Sequence, residues 1–145
     1  MLFRSYLSHP RVKPELIEFF EDLFYSEAWL FRVKDEAQLD ASTAISGSGP
    51  AYFAYFAKSL IQTAQNLGFS SKEATRLVLF TLHGTSRLLE KTSLDPKSLL
   101  EHVASQKGTT QAALDKWDSL DFTGMVEKGV EQALNRAKEI NNEQS

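Results

Sequence analysis

The run Ser46-Gly47-Ser48-Gly49-Pro50 limits what this chain can fold into more than any other stretch. Two glycines and two hydroxyls predict a tight, bare-backbone turn. Pro50 fits the first helical position, where its missing N–H costs nothing and its fixed φ is already helical. From Ala51 to Leu67 no further Gly or Pro occurs, and Tyr52, Phe53, Tyr55 and Phe56 crowd the first turns. Leu60, Ile61, Ala64 and Leu67 continue the apolar row at helical spacing, so a long helix over 51–67 is expected. Aromatics on more than one face mark a helix that is buried on several sides or lies in an interface.

Upstream of that helix the pattern is mixed. Residues 1–7 read as a short strand, broken at His9-Pro10. Pro14 then opens a helix with Leu16, Ile17, Phe19, Phe20 and Leu23 as its apolar stripe, and Ala28 to Val33 reads as a second strand. Strand, helix and strand in this span make a βαβ-sized unit. Parallel strands need both faces covered and neighbours on their edges. Residues 1–34 are therefore expected to be the edge of a larger, incomplete α/β domain.

From Asp35 onward no strand pattern recurs, and residues 35–145 are expected to form an all-helical domain of six helices. Asp35 caps the first, which runs through Leu39, Thr43 and Ile45 to the Ser/Gly turn. Gly68 suits a left-handed C′ position after the long helix. Ser70-Ser71-Lys72-Glu73 is a capping box for a helix reaching about Lys91, with Gly84 in its middle. A mid-helix glycine is tolerated most easily where another helix crosses close by. Asp95-Pro96 starts a short helix through Val103, residues 105–110 interrupt it, and Ala112 to Trp117 resume the helical spacing. Asp121 caps the last helix, with Met125, Val126, Val130, Ala133, Leu134 and Ala137 inward, and the polar tail 141–145 frays.

Composition removes several function classes. A net charge of −3 with no basic run leaves no electrostatic footprint for nucleic acid or an anionic membrane. No apolar stretch is long enough to span a bilayer, and the first residues lack the pattern of a signal peptide. Cysteine is absent, which excludes disulfides and thiolate metal sites and fits a cytoplasmic location. His9, His83 and His102 are scattered without metal-ligand spacing, so no metal site is expected.

Two stretches can carry chemistry. The Gly-x-Gly of 47–49 is not a dinucleotide fingerprint, because Tyr52 stands at the third glycine position and no strand precedes it. It offers backbone N–H groups at a helix start beside the Ser46 and Ser48 hydroxyls, a place for a carboxylate, phosphate or amide. On the residues alone the plainer reading is favoured, a helix start that needs glycine because another helix packs on it. At Ser105 to Thr110, Gly108 lets the backbone turn, and Thr109 and Thr110 bring hydroxyls and N–H groups to a helix start beside the charge of Lys107. That arrangement suits a small carboxylate. Ordinary N-capping accounts for the same residues.

Taken together, Asp40-Ala41-Ser42-Thr43-Ala44-Ile45-Ser46-Gly47-Ser48-Gly49-Pro50-Ala51-Tyr52 and the later Ser105 with Gly108-Thr109-Thr110 resemble the C-terminal domain of the pyrroline-5-carboxylate reductase family. Leu67-Gly68-Phe69, Gly84 and Pro96 fall where that family places them. The resemblance implies a mainly α, six-helix domain forming an interlocked homodimer, preceded by a β-α-β remnant of a Rossmann-like nucleotide-binding domain. It further implies hydride transfer from NAD(P)H to the C=N carbon of 1-pyrroline-5-carboxylate, giving proline. By the same resemblance, Thr110 is the hydroxyl at the ring nitrogen. Ser105, Gly108 and Thr109, with Thr110, hold the substrate carboxylate, and Ser46, Gly47, Ser48 and Gly49 line the site near the nicotinamide.

Three departures bear on function. The family's Ser-Pro-Gly-Gly is here Ser105-Gln106-Lys107-Gly108, and Lys58 stands where an acid is common. The glycine-rich cofactor motif is missing, so this polypeptide alone is not expected to hold NAD(P)H. The alternative is a non-catalytic helical oligomerisation module derived from that family.

Overall fold

The computed structural model describes residues 2–25 and 28–143. Met1, expected to begin the first strand, and Gln144 and Ser145, at the end of the expected frayed tail, lie outside the described residues. The chain divides into two compact units, Met1–Ala51 with Val126–Ser145, and Tyr52–Met125.

The first unit opens with strand β1 (Leu2–Tyr6), helix α1 (Pro14–Phe24) and strand β2 (Ala28–Arg32). The strands pair in parallel, in register from Leu2 opposite Ala28 to Tyr6 opposite Arg32, and the Val33 N–H extends the ladder to the Tyr6 carbonyl at 2.9 Å. Pro14 sits in the first turn of α1, as its fixed φ favours. Phe20 meets the Tyr6 ring edge-on at 5.2 Å, and the Tyr6 hydroxyl donates to the Glu21 carboxylate. Of the expected stripe on α1 only Ile17 is buried; Leu16, Phe19 and Leu23 stay exposed. A stripe fixes which face a helix will cover, and here the first unit supplies cover for only one position.

Helix α2 (Glu36–Ser42) starts at Asp35, whose carboxylate accepts from the Gln38 N–H at 2.8 Å. Its end differs from the sequence expectation. Thr43–Gly47 is a π-helical turn, closed by the Ser48 N–H donating to the Thr43 carbonyl at 3.0 Å. The chain winds on into α3 (Gly49–Asn66) with no tight turn between. The hydroxyls supply the reason: Ser42 and Thr43 each donate to the Leu39 carbonyl at 2.9 Å, and Ser46 to the Ser42 carbonyl at 2.7 Å. Such back-bonding loads the carbonyls of the preceding turn and distorts the ladder without breaking it. Within this unit the Asn141 amide of α7 (Phe122–Glu143) donates to the Asp40 carboxylate at 2.6 Å.

The second unit holds most of α3, then α4 (Ser71–Thr92), α5 (Pro96–Val103) and α6 (Thr109–Ser119). Gly68, at φ 101°, ends α3 in a Schellman motif. Its N–H donates to the Gln65 carbonyl at 3.0 Å, and that of Phe69 to the Ala64 carbonyl at 3.2 Å. The Ser70–Glu73 capping box is formed in both directions, and Asp95 accepts from the Ser98 N–H at 3.0 Å. Asp121 caps α7, its carboxylate accepting from the Gly124 N–H at 3.3 Å. Phe56, Trp117 and Phe122 form an aromatic cluster with ring centroids 5.9–6.2 Å apart. Between α3 and α4 runs an open apolar groove of about 440 Å³, lined by Phe53, Phe56, Leu60, Leu77 and Leu82 among others.

Few large side chains are buried among the described residues. Ile17, Val33, Ala44, Ala57 and Ala74 are the buried apolar residues among those described, while Phe53 is 63% and Tyr55 73% exposed. Met125 and Val126, expected inward on α7, are exposed too, while Val130, Ala133, Leu134 and Ala137 are half-buried.

Candidate functional site

The loop before α6 is built by a close approach. Ser105 and Gly108 close a turn in which the Gly108 N–H donates to the Ser105 carbonyl at 2.9 Å. A Cβ on Gly108 would collide with the Ser105 hydroxyl and lie 3.0 Å from its carbonyl oxygen. The glycine is therefore required by space, since its φ of −79° and ψ of 167° suit any residue. Lys107 beside it is left-handed, at φ 61°, a conformation that favours glycine.

Gly108 is the N-cap of α6, and no side chain caps the helix. The Ala112 N–H, bonded to the Gly108 carbonyl at 3.1 Å, is the first satisfied within the helix. The N–H groups of Thr109, Thr110 and Gln111 thus head an uncapped helix start. Thr109 is exposed and Thr110 half-buried. From Ala104 to Leu114 the only charged residue is Lys107. Helix dipole and ammonium act with the same sign here, so the loop favours an anion.

The second stretch lies in the other unit. Ser46 spends its hydroxyl on the Ser42 carbonyl, so it faces back along its own helix. Gly47 and Gly49 both have negative φ, unlike Gly68. A Cβ at Gly47 would find only Thr43 in ordinary contact at 3.5 Å, and one at Gly49 nothing within 4 Å. Neither glycine serves a turn; both leave the backbone bare. Ser48 is half-buried, next to the buried Gly49. The π turn that sets these positions was missed in the sequence, although the hydroxyls at 42, 43 and 46 were a usable signal.

A dinucleotide needs a glycine-rich strand-to-helix turn for its phosphates. The connection from β1 to α1 spans residues 7–13 without a glycine and meets a helix whose N-cap, Lys13, makes no side-chain cap. The described residues do not fit the cofactor's phosphates. No group of three or more metal-ligating side chains occurs among the described residues.

Residues 36–140 match the family described as pyrroline-5-carboxylate reductase dimerisation. The chain belongs to that family. The pyrroline-5-carboxylate reductase of Pseudomonas aeruginosa is 38% identical over 106 residues, 73% of this chain and 39% of that protein. That of Aquifex aeolicus is 32% identical over 120 residues, 83% of this chain and 45% of that protein. Among solved structures, the Coxiella burnetii pyrroline-5-carboxylate reductase superposes with a TM-score of 0.90 at 28% identity, covering 94% of this chain and 51% of that one. The Plasmodium falciparum pyrroline carboxylate reductase with NADP bound gives 0.81 at 30% identity, covering 92% and 52%. The chain spans about half the length of the reductases it matches, or less. The β1-α1-β2 unit lies upstream of the matched dimerisation region. No helix among the described residues is long and apolar enough to cross a membrane.

Proposed function

We propose that this chain is the dimerisation and substrate-site part of a pyrroline-5-carboxylate reductase, which reduces 1-pyrroline-5-carboxylate to proline with NAD(P)H. In this reading 35–145 is the helical domain of a cytoplasmic homodimer, and 1–34 the end of a nucleotide-binding domain. NAD(P)H, when bound, supplies the hydride, and its phosphates are held by sequence other than that described here.

The observation that carries the reading is the uncapped start of α6, inside the matched family region, with Lys107 as the one charged residue from Ala104 to Leu114. The N–H groups of Thr109 and Thr110, with Gly108 and Ser105, hold the substrate carboxylate. The Thr110 hydroxyl lies at the ring nitrogen, where a placed oxygen stabilises the charge of the protonated imine, the better hydride acceptor. By the family resemblance Ser46, Gly47, Ser48 and Gly49 are the residues assigned to the nicotinamide side. The protein thus orients the reactants and excludes water.

The test joins this chain's 36–140 region to the nucleotide-binding domain of a matched reductase and follows NADPH oxidation with pyrroline carboxylate. We expect turnover, and a loss of roughly 10- to 100-fold in kcat/KM for Thr110→Val, the range for one hydrogen bond to a charged group. A folded chimera that binds NADP and shows no turnover would leave the second reading, a non-catalytic oligomerisation module. The strained Lys107 is the observation that favours this alternative.

A further inference from the structure

The last turn of α7, polar and expected to fray, stays helical through Glu143. Arg136 reaches forward to the Glu139 and Glu143 carboxylates at 2.8 and 3.2 Å. Those ion pairs are exposed, worth little each, and run along a single helix. The bond that leaves the helix is made by Asn141. Its amide donates to the Asp40 carboxylate at 2.6 Å, across 101 residues of chain and inside one compact unit. Chemistry fixes the direction, because an ionised carboxylate only accepts. Residue 141 is also the first beyond the matched family region, which ends at 140.

What this bond holds is the entry to the π turn. Helix α2 has seven residues, none of them buried, and a helix so short is marginal alone. The Asp40 carbonyl accepts from the Thr43 N–H, and the Thr43 carbonyl from the Ser48 N–H at 3.0 Å. A continuous line of hydrogen bonds thus runs from Asn141 through Asp40 and Thr43 to Ser48. Ala44 is buried and anchors the middle of the turn; Asp40 is the anchor before it. A π turn is an irregular stretch of ladder that can relax to an α-helix by shifting its bonds by one residue. That shift would rotate the backbone after it by about 100°. We infer that Asn141 is a positioning residue for Ser46–Gly49, acting through Asp40 to keep the π turn in this register. The inference rests on the reading above, in which that segment serves the nicotinamide side, and adds to it a residue outside the matched region.

The experiment follows amide hydrogen exchange by NMR in the full 145-residue chain. The probe is the Ser48 N–H that closes the π turn, and the Val33 N–H of the strand ladder is the reference for opening of the whole unit. Asn141→Ala removes the donor, and Asn141→Asp sets a second carboxylate against Asp40. The reversed pair, Asp40→Asn with Asn141→Asp, restores the bond in the opposite direction at unchanged net charge. We expect Ser48 to exchange roughly two- to tenfold faster in both single variants, the range for one hydrogen bond. Val33 should stay unchanged, and the reversed pair should return Ser48 to the wild-type rate. In the chimera above, carried through to Ser145, the single variants should raise KM for NADPH by a similar factor and leave that for pyrroline carboxylate alone. The reversed pair should restore it. Ser48 exchange that is unaltered, or altered only in step with Val33, overturns the inference. So does a KM for NADPH that stays put while Ser48 loosens. Asn141→Ala decides if Asn141→Asp does not fold. A wild-type chimera that binds NADP without turnover overturns the reading above, and NADP affinity across the variants then decides this inference in place of KM.

Discussion

Replacing Gly108 by alanine puts the α6 loop to a quantitative test. The backbone at 108 is extended and open to any residue, so the penalty is steric and comes from Ser105. The added methyl would overlap the Ser105 hydroxyl, which can rotate away, and press on its carbonyl oxygen at 3.0 Å, which cannot move without the turn. Alanine is also a poorer N-cap than glycine, by about 1 kcal/mol. Overpacking adds about 1–2 kcal/mol, so the full effect is about 2–3 kcal/mol. At roughly 3 °C per kcal/mol for a chain of this size, Tm falls by roughly 6–9 °C. A double-mutant cycle with Ser105→Ala isolates the hydroxyl's share. The two substitutions should couple by about 1 kcal/mol, because Ser105→Ala removes the nearest obstacle and leaves the carbonyl. If Gly108→Ala costs the same with and without the Ser105 hydroxyl, close approach is the wrong reason for the glycine.

Two further outcomes follow from the backbone and from titration. Lys107→Gly should stabilise the chain by about 0.5–1 kcal/mol in urea unfolding, the relief of a left-handed lysine less the larger entropy of an unfolded glycine. At alkaline pH, burial first and the bond to Glu21 second push the Tyr6 hydroxyl up to about 12 from its ordinary 10.0. The folded state holds this proton more tightly, so its stabilisation is complete below pH 10 and is lost as pH rises toward 12. Tyr6→Phe should remove that part of the alkaline unfolding curve.

What was legible in the sequence is what a few neighbouring residues decide. Asp35 with Gln38, Ser70 with Glu73, Asp95 with Ser98 and Asp121 with Gly124 each close within three residues, and each cap was readable from residue type and spacing. The loop at 105–110 was readable for the same reason, and the structure adds why Gly108 is needed there. The stretch 43–49 was misread because two glycines and a proline signal a turn, while three hydroxyls bonded to their own helix carry the winding through. Residue preference cannot rank those two outcomes; the carbonyls available at 39 and 42 decide between them.

The apolar stripes taught something different. Leu16, Phe19 and Leu23 have helical spacing and are exposed, and so are Phe53, Tyr55 and Phe56. Spacing reports that a face will be covered and is silent on what covers it. Among the described residues Ala57 and Ala74 are the buried apolar residues of α3 and α4, so these helices bury little side chain within the chain, and isolated helices of their length are marginal in water. The caps define where each helix begins and ends at about 1 kcal/mol apiece, too little to hold the fold. In the homodimer reading the missing stabilisation comes from association, which makes folding and assembly one equilibrium. Each Tm above is accordingly a property of the assembled state at a stated concentration, and a substitution far from any helix contact can shift it by changing who covers the stripe.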